Sequence, residues 1–555
     1  SSKMEETNQQ HIHDVLIVGA GPCGLALAAR IRENTPGALF TESEHQRFHW
    51  MKASSTSKLN SKPIRTSRRS NTAPDRLLSG PQVPEGVDIK VLDESGDKWM
   101  AAWNERFERL NISHLRSPMF FQIDPKDRDG LLGFAHREER ENELREIKGV
   151  VGKDLSKHQR KQSLKNGSKS QETSYLDERD RKDMFRPSQA LFKEHCWDVA
   201  RHYGLEDVVE KSRVTSVSYE SGPAGEPGIF TVETSTGVKK ARVVVFATGP
   251  SAPPVLPPSC SFCHERNEGV SHAFEPTALP DCVLPVPILD KIKAGEEITV
   301  GVVGGGLTSA QISDAAIKRG VTKVHHIMRG PMKIKHFDMD LSWVGKYKNF
   351  HLASFWSADS DEERWEMIKE ARNGGSITPE YKKILENLIK AGKVDLYKYT
   401  EVIDATWDTN TQMWTLITSP PIPDLKVHHL VYATGIPTDF TQIPALKPLL
   451  ESAPINSVGG IPCCTNELMW NDDIPFFFTG RLAALRLGPA APNLDGARQG
   501  AERIAGKIAE IFGRRRRDSG YASEAADGER VDMRRLGLGR DNQFEVLAAL
   551  EDDDS

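Results

Sequence analysis

Two glycine-rich segments have the residue types and spacing of nucleotide-binding turns. The first is Gly19-Ala20-Gly21-Pro22-Cys23-Gly24, and the second is Gly304-Gly305-Gly306-Leu307-Thr308-Ser309. Each follows a short apolar run and precedes a helical pattern, which is the strand, turn and helix context that the glycines of a dinucleotide site require. Two such turns predict two nucleotides on one chain and electron transfer between them.

In the first turn each glycine has its own mechanical role. Gly19 permits the tight turn, Gly21 leaves room for a pyrophosphate against the backbone, and Gly24 lets the next helix approach the sheet closely. The exposed amides at the start of that helix hold the phosphates. Pro22 and Cys23 belong to the same turn. Cys23 could be a redox-active thiol, although a small side chain at this point more often serves packing.

A carboxylate after the expected second strand selects the first nucleotide. Residues 38–42 form a run that we interpret as this strand, and it ends in Glu42, 18 residues after Gly24. An acid at such a position hydrogen-bonds a ribose and repels a 2′-phosphate. The first site is therefore expected to hold FAD.

The second turn is followed by cations instead. Residues 298–303 predict its leading strand, and Ser309 replaces the third glycine with a side chain that is still small. The next predicted strand, 323–328, ends before Arg329, and Lys333 follows closely. Positive charge here favours a 2′-phosphate, so the second site is expected to hold NADPH. The alternative is that these cations only face solvent.

Size and composition agree with a large protein that binds small molecules. The chain has 555 residues, so more than one packed lobe is expected. Its net charge of −5 gives no electrostatic footprint for nucleic acid. No apolar run is long enough to span a membrane, and the polar start lacks a signal-peptide core, which predicts a cytoplasmic protein. Seven cysteines without a secretory signal predict reduced thiols.

Residues 243–249 and 430–435 are apolar runs that both end in Ala-Thr-Gly, at Gly249 and Gly435. Together with the two glycine turns, they make most of 13–512 resemble the two-dinucleotide-binding flavoproteins. The resemblance implies an α/β fold with two Rossmann-like dinucleotide-binding domains, the NADPH domain being inserted into the FAD domain, with helical and loop insertions. It also implies that Gly249 contacts FAD and that Gly435 contacts NADPH or lies at the domain junction. The implied divisions are a disordered tail over 1–12, the first part of the FAD domain over 13–290, the NADPH domain over 291–425, the return of the FAD domain over 426–512, and a disordered charged tail over 513–555.

The end of the folded chain also resembles this family. Residues 476–480, Phe-Phe-Phe-Thr-Gly, precede Asn493 and Leu494, where the family brings a helix N-terminus to the flavin ring. The resemblance implies that the amides of Asn493 and Leu494 face the flavin, where the helix dipole stabilises negative charge on the reduced ring. The alternative is an Asn-capped helix over 494–512 without ligand contact.

Cysteine spacing bears on the kind of flavin chemistry. Cys260 and Cys263 form the one C-x-x-C pair of the sequence, but they lie about 40 residues before Gly304, farther than in thioredoxin-reductase-like chains. With His264 and Cys282 they could bind zinc, yet the spacing is irregular and no metal site is predicted. Without a dithiol, NADPH-reduced flavin is expected to meet dioxygen and form a C4a-hydroperoxyflavin that oxygenates a small molecule.

The detailed resemblance is to class B flavin monooxygenases of the lysine and ornithine N-hydroxylase branch, which implies N-hydroxylation of an amine. Residues 47–51, Arg-Phe-His-Trp-Met, look like the aromatic segment of that branch, so Trp50 and Met51 are expected near the flavin ring. His272 lies where these enzymes place a histidine-containing loop.

Residues 114–121 and 184–192 resemble a subgroup close to the oxidative-stress-induced growth inhibitor proteins. The lysine and asparagine pattern that binds substrate in the amino-acid N-hydroxylases is not recognisable, so an ornithine or lysine substrate does not carry over. Arg116, Gln122 and Arg186 could line a substrate pocket or act as structural ion-pair partners.

Two other functions stay open at this point. A flavin-dependent disulfide reductase would use Cys260 and Cys263. A nucleotide-sensing regulatory flavoprotein would signal through the charged tail, which begins with four arginines at 514–517. The sequence does not indicate an oligomeric state.

Overall fold

The computed structural model describes residues 11–33, 83–150, 183–222, 228–249, 256, 269–274, 283–345 and 348–518, and of 514–518 the backbone only. The strands in this part of the chain are β1 (Ile12–Val18), β2 (Ile89–Asp93), β3 (Arg145–Glu146), β4 (Phe185–Arg186), β5 (Val209–Lys211), β6 (Val214–Glu220), β7 (Ile229–Thr234), β8 (Gly237–Phe246), β9 (Val270–His272), β10 (Thr299–Val303), β11 (Lys323–Met328), β12 (Val394–Lys398), β13 (Glu401–Asp408), β14 (Met413–Ser419), β15 (Lys426–Val427), β16 (His429–Tyr432), β17 (Ser457–Val458), β18 (Ile461–Pro462) and β19 (Phe476–Phe478).

The α-helices of the same residues are α1 (Pro22–Arg32), α2 (Ala101–Arg109), α3 (Gly130–Arg137), α4 (Gln189–His202), α5 (Val286–Lys293), α6 (Leu307–Lys318), α7 (Lys348–Trp356), α8 (Asp361–Arg372), α9 (Pro379–Lys390), α10 (Lys447–Ser452), α11 (Ala484–Leu487) and α12 (Leu494–Asp518). None of these helices is long and apolar enough to cross a membrane.

The first sheet has the strand order β5-β2-β1-β8-β7-β6, and β19 also pairs with β8. Strands β5, β2, β1, β8 and β19 run parallel, whereas β6, β7 and β8 form an antiparallel meander. Residues 15–17 at the centre of β1 are fully buried, as expected for a parallel strand covered on both faces. Since parallel strands end at the same edge, the ends of β1, β2 and β8 lie together.

The second sheet has five parallel strands in the order β12-β11-β10-β16-β9. Helix α6 follows β10 and packs on this sheet, with a separate core that includes Val300, Val302, Ile312 and Val324. The chain forms this sheet after β8 and before β19, so one Rossmann-like unit is inserted into another. The expected fold class is therefore confirmed.

Strand pairing corrects several of the expected divisions. β9 precedes residue 291 and β16 follows residue 425, yet both belong to the second sheet, so this sheet extends over 270–432. Parallel pairing joins segments that are distant in sequence, which composition does not reveal. Ile12 already belongs to β1, and α12 continues to Asp518, so both expected tails include residues that the structure places in regular elements.

A buried ion pair joins α1, which follows the first glycine turn, to α12, near the end of the described residues. Helix α1 packs against α12, and Arg30 Nε lies 2.7 Å from a carboxylate oxygen of Glu502, with both side chains buried. The last helix thereby fixes the helix that follows the first glycine turn.

Candidate functional site

The first glycine turn leads from β1 into α1 at the edge of the first sheet. Gly19 has a φ of +110°, and a Cβ there would lie 2.5 Å from the carbonyl oxygen of Ala247. A Cβ on Gly24 would overlap the carbonyl oxygen of Gly19. Neither position accepts a side chain, in keeping with the roles that the sequence predicts for them.

Room for a ligand lies at Gly21. A Cβ on Gly21 would meet no described atom within 4 Å, and no side chain caps the amides at the start of α1, where Pro22 is the first residue. Nearby, the hydroxyl of Thr248 is buried and has no hydrogen-bond partner in the described part of the chain. Free helix amides bind anions, so the turn fits a pyrophosphate.

The second glycine turn repeats this construction in the second sheet. A Cβ on Gly304 would lie 2.6 Å from the carbonyl oxygen of Ala433. Gly306 is the N-cap of α6, and again no side chain caps the helix. Ser309 is fully buried, and its hydroxyl donates to the carbonyl oxygen of Gly306 at 2.7 Å. The second turn thus also presents free amides to an anion.

Each Ala-Thr-Gly segment braces one of the turns. Ala247 contacts the first glycine of the first turn, and Ala433 contacts the first glycine of the second. The segments then end in left-handed glycines, with a φ of +67° at Gly249 and +85° at Gly435. The sequence names Gly249 as a candidate FAD contact and Gly435 as a candidate contact of NADPH or of the domain junction, and each glycine ends the segment that supports one turn.

A buried histidine supports the second turn. His326 in β11 is fully buried, with its Nε2 2.9 Å from the carbonyl oxygen of Gly304 and its Nδ1 3.1 Å from Ser313 Oγ. Burial lowers the pKa of His326 to about 4, so the neutral ring donates one hydrogen bond to the turn. Sequence reasoning missed this residue because a single histidine in an apolar strand has no diagnostic spacing.

Asp93 lies at the end of a strand beside β1, where an acid next to the first turn is expected. β2 pairs with one side of β1 and β8 with the other. Asp93 ends β2, and its Oδ2 accepts a hydrogen bond of 2.8 Å from the backbone amide of Ala20. Glu42 itself lies outside the described residues.

A Trp-Met pair also follows Asp93. The amide of Met100 donates to the carbonyl oxygen of Ala20 at 2.7 Å, and Trp99 Nε1 donates to the carbonyl oxygen of Leu205 at 2.7 Å. Both side chains are buried, and the backbone of Met100 contacts the first turn. The pair expected near the flavin, Trp50 and Met51, lies outside the described residues.

Cys23, which belongs to the first turn, packs against Gly480. A Cβ on Gly480 would lie 3.3 Å from its Sγ, and burial raises the pKa of the Cys23 thiol to about 11. A protonated thiol is a poor nucleophile, so this cysteine is suited to packing rather than redox chemistry.

The start of α12 is tied to the second domain. Asn493 precedes α12 and its Nδ2 donates to Asp338 Oδ1 at 3.0 Å, while Leu494 begins the helix and is buried. Arg372 donates to the other oxygen of Asp338 at 2.9 Å. Burial alone would raise the pKa of Asp338, but the guanidinium groups of Arg372 and Arg116 lower it, so the carboxyl is ionised.

The two cations predicted to bind the second nucleotide, Arg329 and Lys333, differ in solvent exposure and in their hydrogen bonds. Arg329 directly follows β11 and is exposed. Lys333 Nζ instead donates to the carbonyl oxygen and to Oδ1 of Asn373, at 2.8 and 2.9 Å. Arg329 is therefore the more accessible of the two to a phosphate.

A cavity of about 360 Å³ opens beside the second turn. Leu307 and Thr308, the first residues of α6, line it together with Arg116 and Arg186. Its volume lies in the range of small-molecule sites. Two of the residues predicted for a pocket thus share one cavity.

Both of these arginines are also structural partners. Arg116 donates hydrogen bonds of 2.6–3.0 Å to four acceptors of the second domain, the carbonyl oxygens of Lys335, His336 and Phe337 and the hydroxyl of Ser376. Burial lowers the pKa of Arg116 to about 10. Arg186 Nη2 lies 2.5 Å from a carboxylate oxygen of Glu380. The cavity wall is therefore held in a fixed geometry.

Gln122 and His272 are not among the residues that line this cavity. Gln122 is fully buried, and its Nε2 donates to the carbonyl oxygen of Asp127 at 2.6 Å. His272 Nδ1 accepts from the amide of Phe274 at 3.2 Å, and its Nε2 lies 3.4 Å from Thr434 Oγ1. Gln122 shapes a local turn, and His272 joins β9 to the second Ala-Thr-Gly segment.

The residues of the alternative dithiol and of the zinc site that the sequence does not favour, Cys260, Cys263, His264 and Cys282, lie outside the described residues. Within the described residues the free cysteines are Cys23, Cys196, Cys463 and Cys464.

Solved flavoenzymes share this architecture over most of the chain. DfoA, a cadaverine monooxygenase from Erwinia amylovora bound to FAD, is 16% identical, with 90% of this chain and 94% of that chain covered and a TM-score of 0.56. KtzI, an ornithine N-hydroxylase from Kutzneria sp. 744 solved with reduced FAD, NADP⁺ and L-ornithine, is 15% identical, with 90% and 100% covered and a TM-score of 0.57. The ornithine hydroxylase PvdA from Pseudomonas aeruginosa is 14% identical, with 90% and 100% covered and a TM-score of 0.56.

This chain has the fold of these enzymes. The resemblance read from the sequence is thereby confirmed at the level of the fold. No protein-family model and no curated protein sequence matches the chain.

Proposed function

We propose that this protein is an FAD- and NADPH-dependent monooxygenase that hydroxylates a nitrogen atom of a small amine. The proposal rests on the paired glycine turns, each braced by its own Ala-Thr-Gly segment and each leading into a helix with uncapped amides. Two such turns on one chain suit two dinucleotides. The fold shared with an ornithine N-hydroxylase and a cadaverine monooxygenase supports a monooxygenase among the two-nucleotide flavoproteins.

FAD would lie on the first turn. The free amides behind Gly21 would hold its pyrophosphate, and the cofactor could supply the partner that the Thr248 hydroxyl lacks among the described residues. The Asp93 carboxylate lies beside the turn, where it would accept hydrogen bonds from the ribose and repel a 2′-phosphate. Asn493 and Leu494 stay the candidates for contact with the flavin ring, with Leu494 as the amide donor because the Asn493 amide donates to the carbonyl oxygen of Ala490 at 2.8 Å.

NADPH would lie on the second turn. The free amides behind Gly306 would hold its pyrophosphate, and the exposed Arg329 would bind the 2′-phosphate. Ser309 and His326 would keep the turn in a binding-competent shape through their hydrogen bonds to its carbonyl oxygens.

The bound cofactors and dioxygen would supply the redox chemistry: NADPH gives two electrons, one oxygen atom enters the new N–O bond, and the other leaves as water. The chain binds and orients the reactants. We assign the substrate to the cavity lined by Arg116 and Arg186. Burial lowers the pKa of His114 in its wall, and the charges of Arg145 and Arg186 lower it further, so the neutral ring can accept a hydrogen bond from an amine.

The test uses FAD-loaded protein, NADPH and a panel of aliphatic amines, diamines and amino acids. NADPH oxidation, oxygen uptake and hydroxylated product are measured together, and with a substrate we expect equal amounts of all three. If every amine leaves all of the consumed oxygen as hydrogen peroxide, hydroxylation is refuted. If the protein does not retain FAD, the cofactor assignment itself is refuted.

A matched pair of variants separates cofactor binding from folding. A Cβ at Gly21 would meet no described atom within 4 Å, so Gly21→Asp should leave the fold intact while its charge expels the phosphates and abolishes FAD retention. Gly133→Asp, in α3 and equally uncrowded, is the control and should retain FAD.

A further inference from the structure

Two histidines stand at the start of β1, at the end opposite the first glycine turn. His11 and His13 are two residues apart, and side chains at that spacing lie on the same side of a strand. Their ring centroids are 4.6 Å apart. The seven residues of β1 separate this point from the turn by about 20 Å, at roughly 3.3 Å per residue. The pair is therefore remote from the first glycine turn, where the FAD pyrophosphate is proposed to bind.

A carboxylate completes the group. Asp88 directly precedes β2, and its Oδ2 lies 2.8 Å from His11 Nε2 and 2.6 Å from His13 Nδ1. The backbone fixes Asp88, because its amide donates to Asp14 Oδ2 at 3.1 Å and its carbonyl oxygen accepts from Val15 N at 3.0 Å. The carboxylate is thus held against both rings by the pairing of β1 with β2.

We propose that His11, His13 and Asp88 form a binding site for a divalent transition metal, Zn²⁺ in particular. The three ligand atoms lie within 4.8 Å of one another. Zinc bonds to nitrogen and oxygen of about 2.0–2.2 Å place tetrahedral ligand atoms roughly 3.4 Å apart, so the present contacts need to open by less than about 1 Å. Two imidazoles favour zinc over Mg²⁺ or Ca²⁺, and water would fill the fourth position.

The metal would act as a clamp rather than a catalyst. Its ligands come from the residue before β1 and the residue before β2, together with one residue of β1, and the segment over 34–82 lies between the two strands in sequence. A metal that binds only the folded chain raises its melting temperature. Zinc at about one hundred times its dissociation constant should raise the melting temperature by at least about 2 °C.

The experiment titrates zinc chloride into full-length, chelator-stripped protein without a histidine tag, by isothermal titration calorimetry. We expect one zinc ion per chain, with at least about tenfold weaker binding in His13→Ala and in Asp88→Asn. His136→Ala is the control, because His136 contacts a single carboxylate, that of Glu141 at 2.6 Å, and this variant should bind like the parent protein.

Two further variants keep the proposal testable. The side chain of His11 is 71% exposed, so His11→Ala removes a ligand even if Asp88→Asn disturbs the strand pairing. The double variant Cys260→Ser with Cys263→Ser tests the rival ligands of the sequence and should bind zinc unchanged. No zinc binding by the parent protein would overturn the proposal. So would binding that survives His11→Ala and His13→Ala but disappears in the cysteine variant.

Discussion

Replacement of Asp93 tests where the first nucleotide binds its ribose. In Asp93→Asn the shape of the side chain is kept and its charge is lost. Asp93 Oδ2 accepts from Ala20 N and Oδ1 from Ser95 N, both at 2.8 Å, and an asparagine oxygen can keep one of these bonds. What the variant loses is the charged acceptor beside the glycine turn.

The expected loss of affinity follows from this chemistry. A hydrogen bond to a charged group contributes about 1.5–3 kcal/mol, so its loss raises the dissociation constant roughly ten- to hundredfold. The apoprotein of Asp93→Asn should therefore bind FAD roughly ten- to hundredfold more weakly than the parent apoprotein. Quenching of flavin fluorescence during titration measures both constants.

Two controls make this result decisive. Glu94→Gln changes the next carboxylate along the chain, which pairs with Arg213 at 2.9 Å, and should leave FAD affinity unchanged. Glu42→Gln tests the residue that the spacing rule favours. If Glu42→Gln weakens FAD binding and Asp93→Asn does not, the assignment of the second strand to β2 is refuted. Thermal unfolding of each apoprotein shows whether the turn itself has been damaged.

Four other outcomes are expected. Arg329→Ala should raise the KM for NADPH about five- to tenfold and leave the KM for NADH unchanged, because one charged contact worth roughly 1 kcal/mol is lost. Steady-state kinetics with both cofactors measure this. Arg30→Met removes one member of the buried Arg30–Glu502 ion pair and should lower the free energy of unfolding, measured in urea, by about 3–5 kcal/mol. Cys260→Ser with Cys263→Ser should leave NADPH-dependent turnover intact, whereas a disulfide reductase would lose it. The free energy of unfolding should fall as the pH is lowered from about 6.5 towards 4, by up to about 1.4 kcal/mol per pH unit for each buried histidine. The reason is that these histidines bind protons in the unfolded chain but stay neutral in the folded chain. Urea unfolding midpoints at pH 7, 6 and 5 measure this, and equal midpoints would contradict it. The histidines concerned, whose pKa burial lowers to about 4, are His195, His326 and His429.

Local features of the fold were predictable because their cause is local. A glycine turn between a strand and a helix is specified within about a dozen neighbouring residues, and both turns form where the sequence places them. Strand β11 was predicted with the same limits that the structure shows. Such elements depend on apolar patterning and on backbone freedom at the glycines, and both can be read from short windows.

The strand β2, which lies beside β1 in the first sheet, could not be found in this way. The usual spacing of about 20 residues between the glycines and the acid favours Glu42, whereas Asp93 lies 69 residues after Gly24. Strand pairing is decided by which apolar segment fits beside β1, and that competition involves the whole chain. The sequence Ile-Lys-Val-Leu-Asp over 89–93 did carry a sign, an apolar run ending in an acid and followed by Trp-Met at 99–100. The sequence also did not show that β9 and β16 belong to the second sheet, for the same reason.

The two nucleotide turns are alike in backbone construction, so the backbone alone does not explain why they would take different cofactors. Each presents uncapped helix amides, and each rests against the alanine of an Ala-Thr-Gly segment. They differ in the charge that follows the neighbouring strand, which is negative at Asp93 after β2 and positive at Arg329 after β11. A 2′-phosphate is repelled by the first charge and attracted by the second. Under the proposed function, these two side chains assign FAD to the first turn and NADPH to the second. Arg329→Glu, which reverses the second charge, should therefore reduce the preference for NADPH over NADH without changing the affinity for FAD.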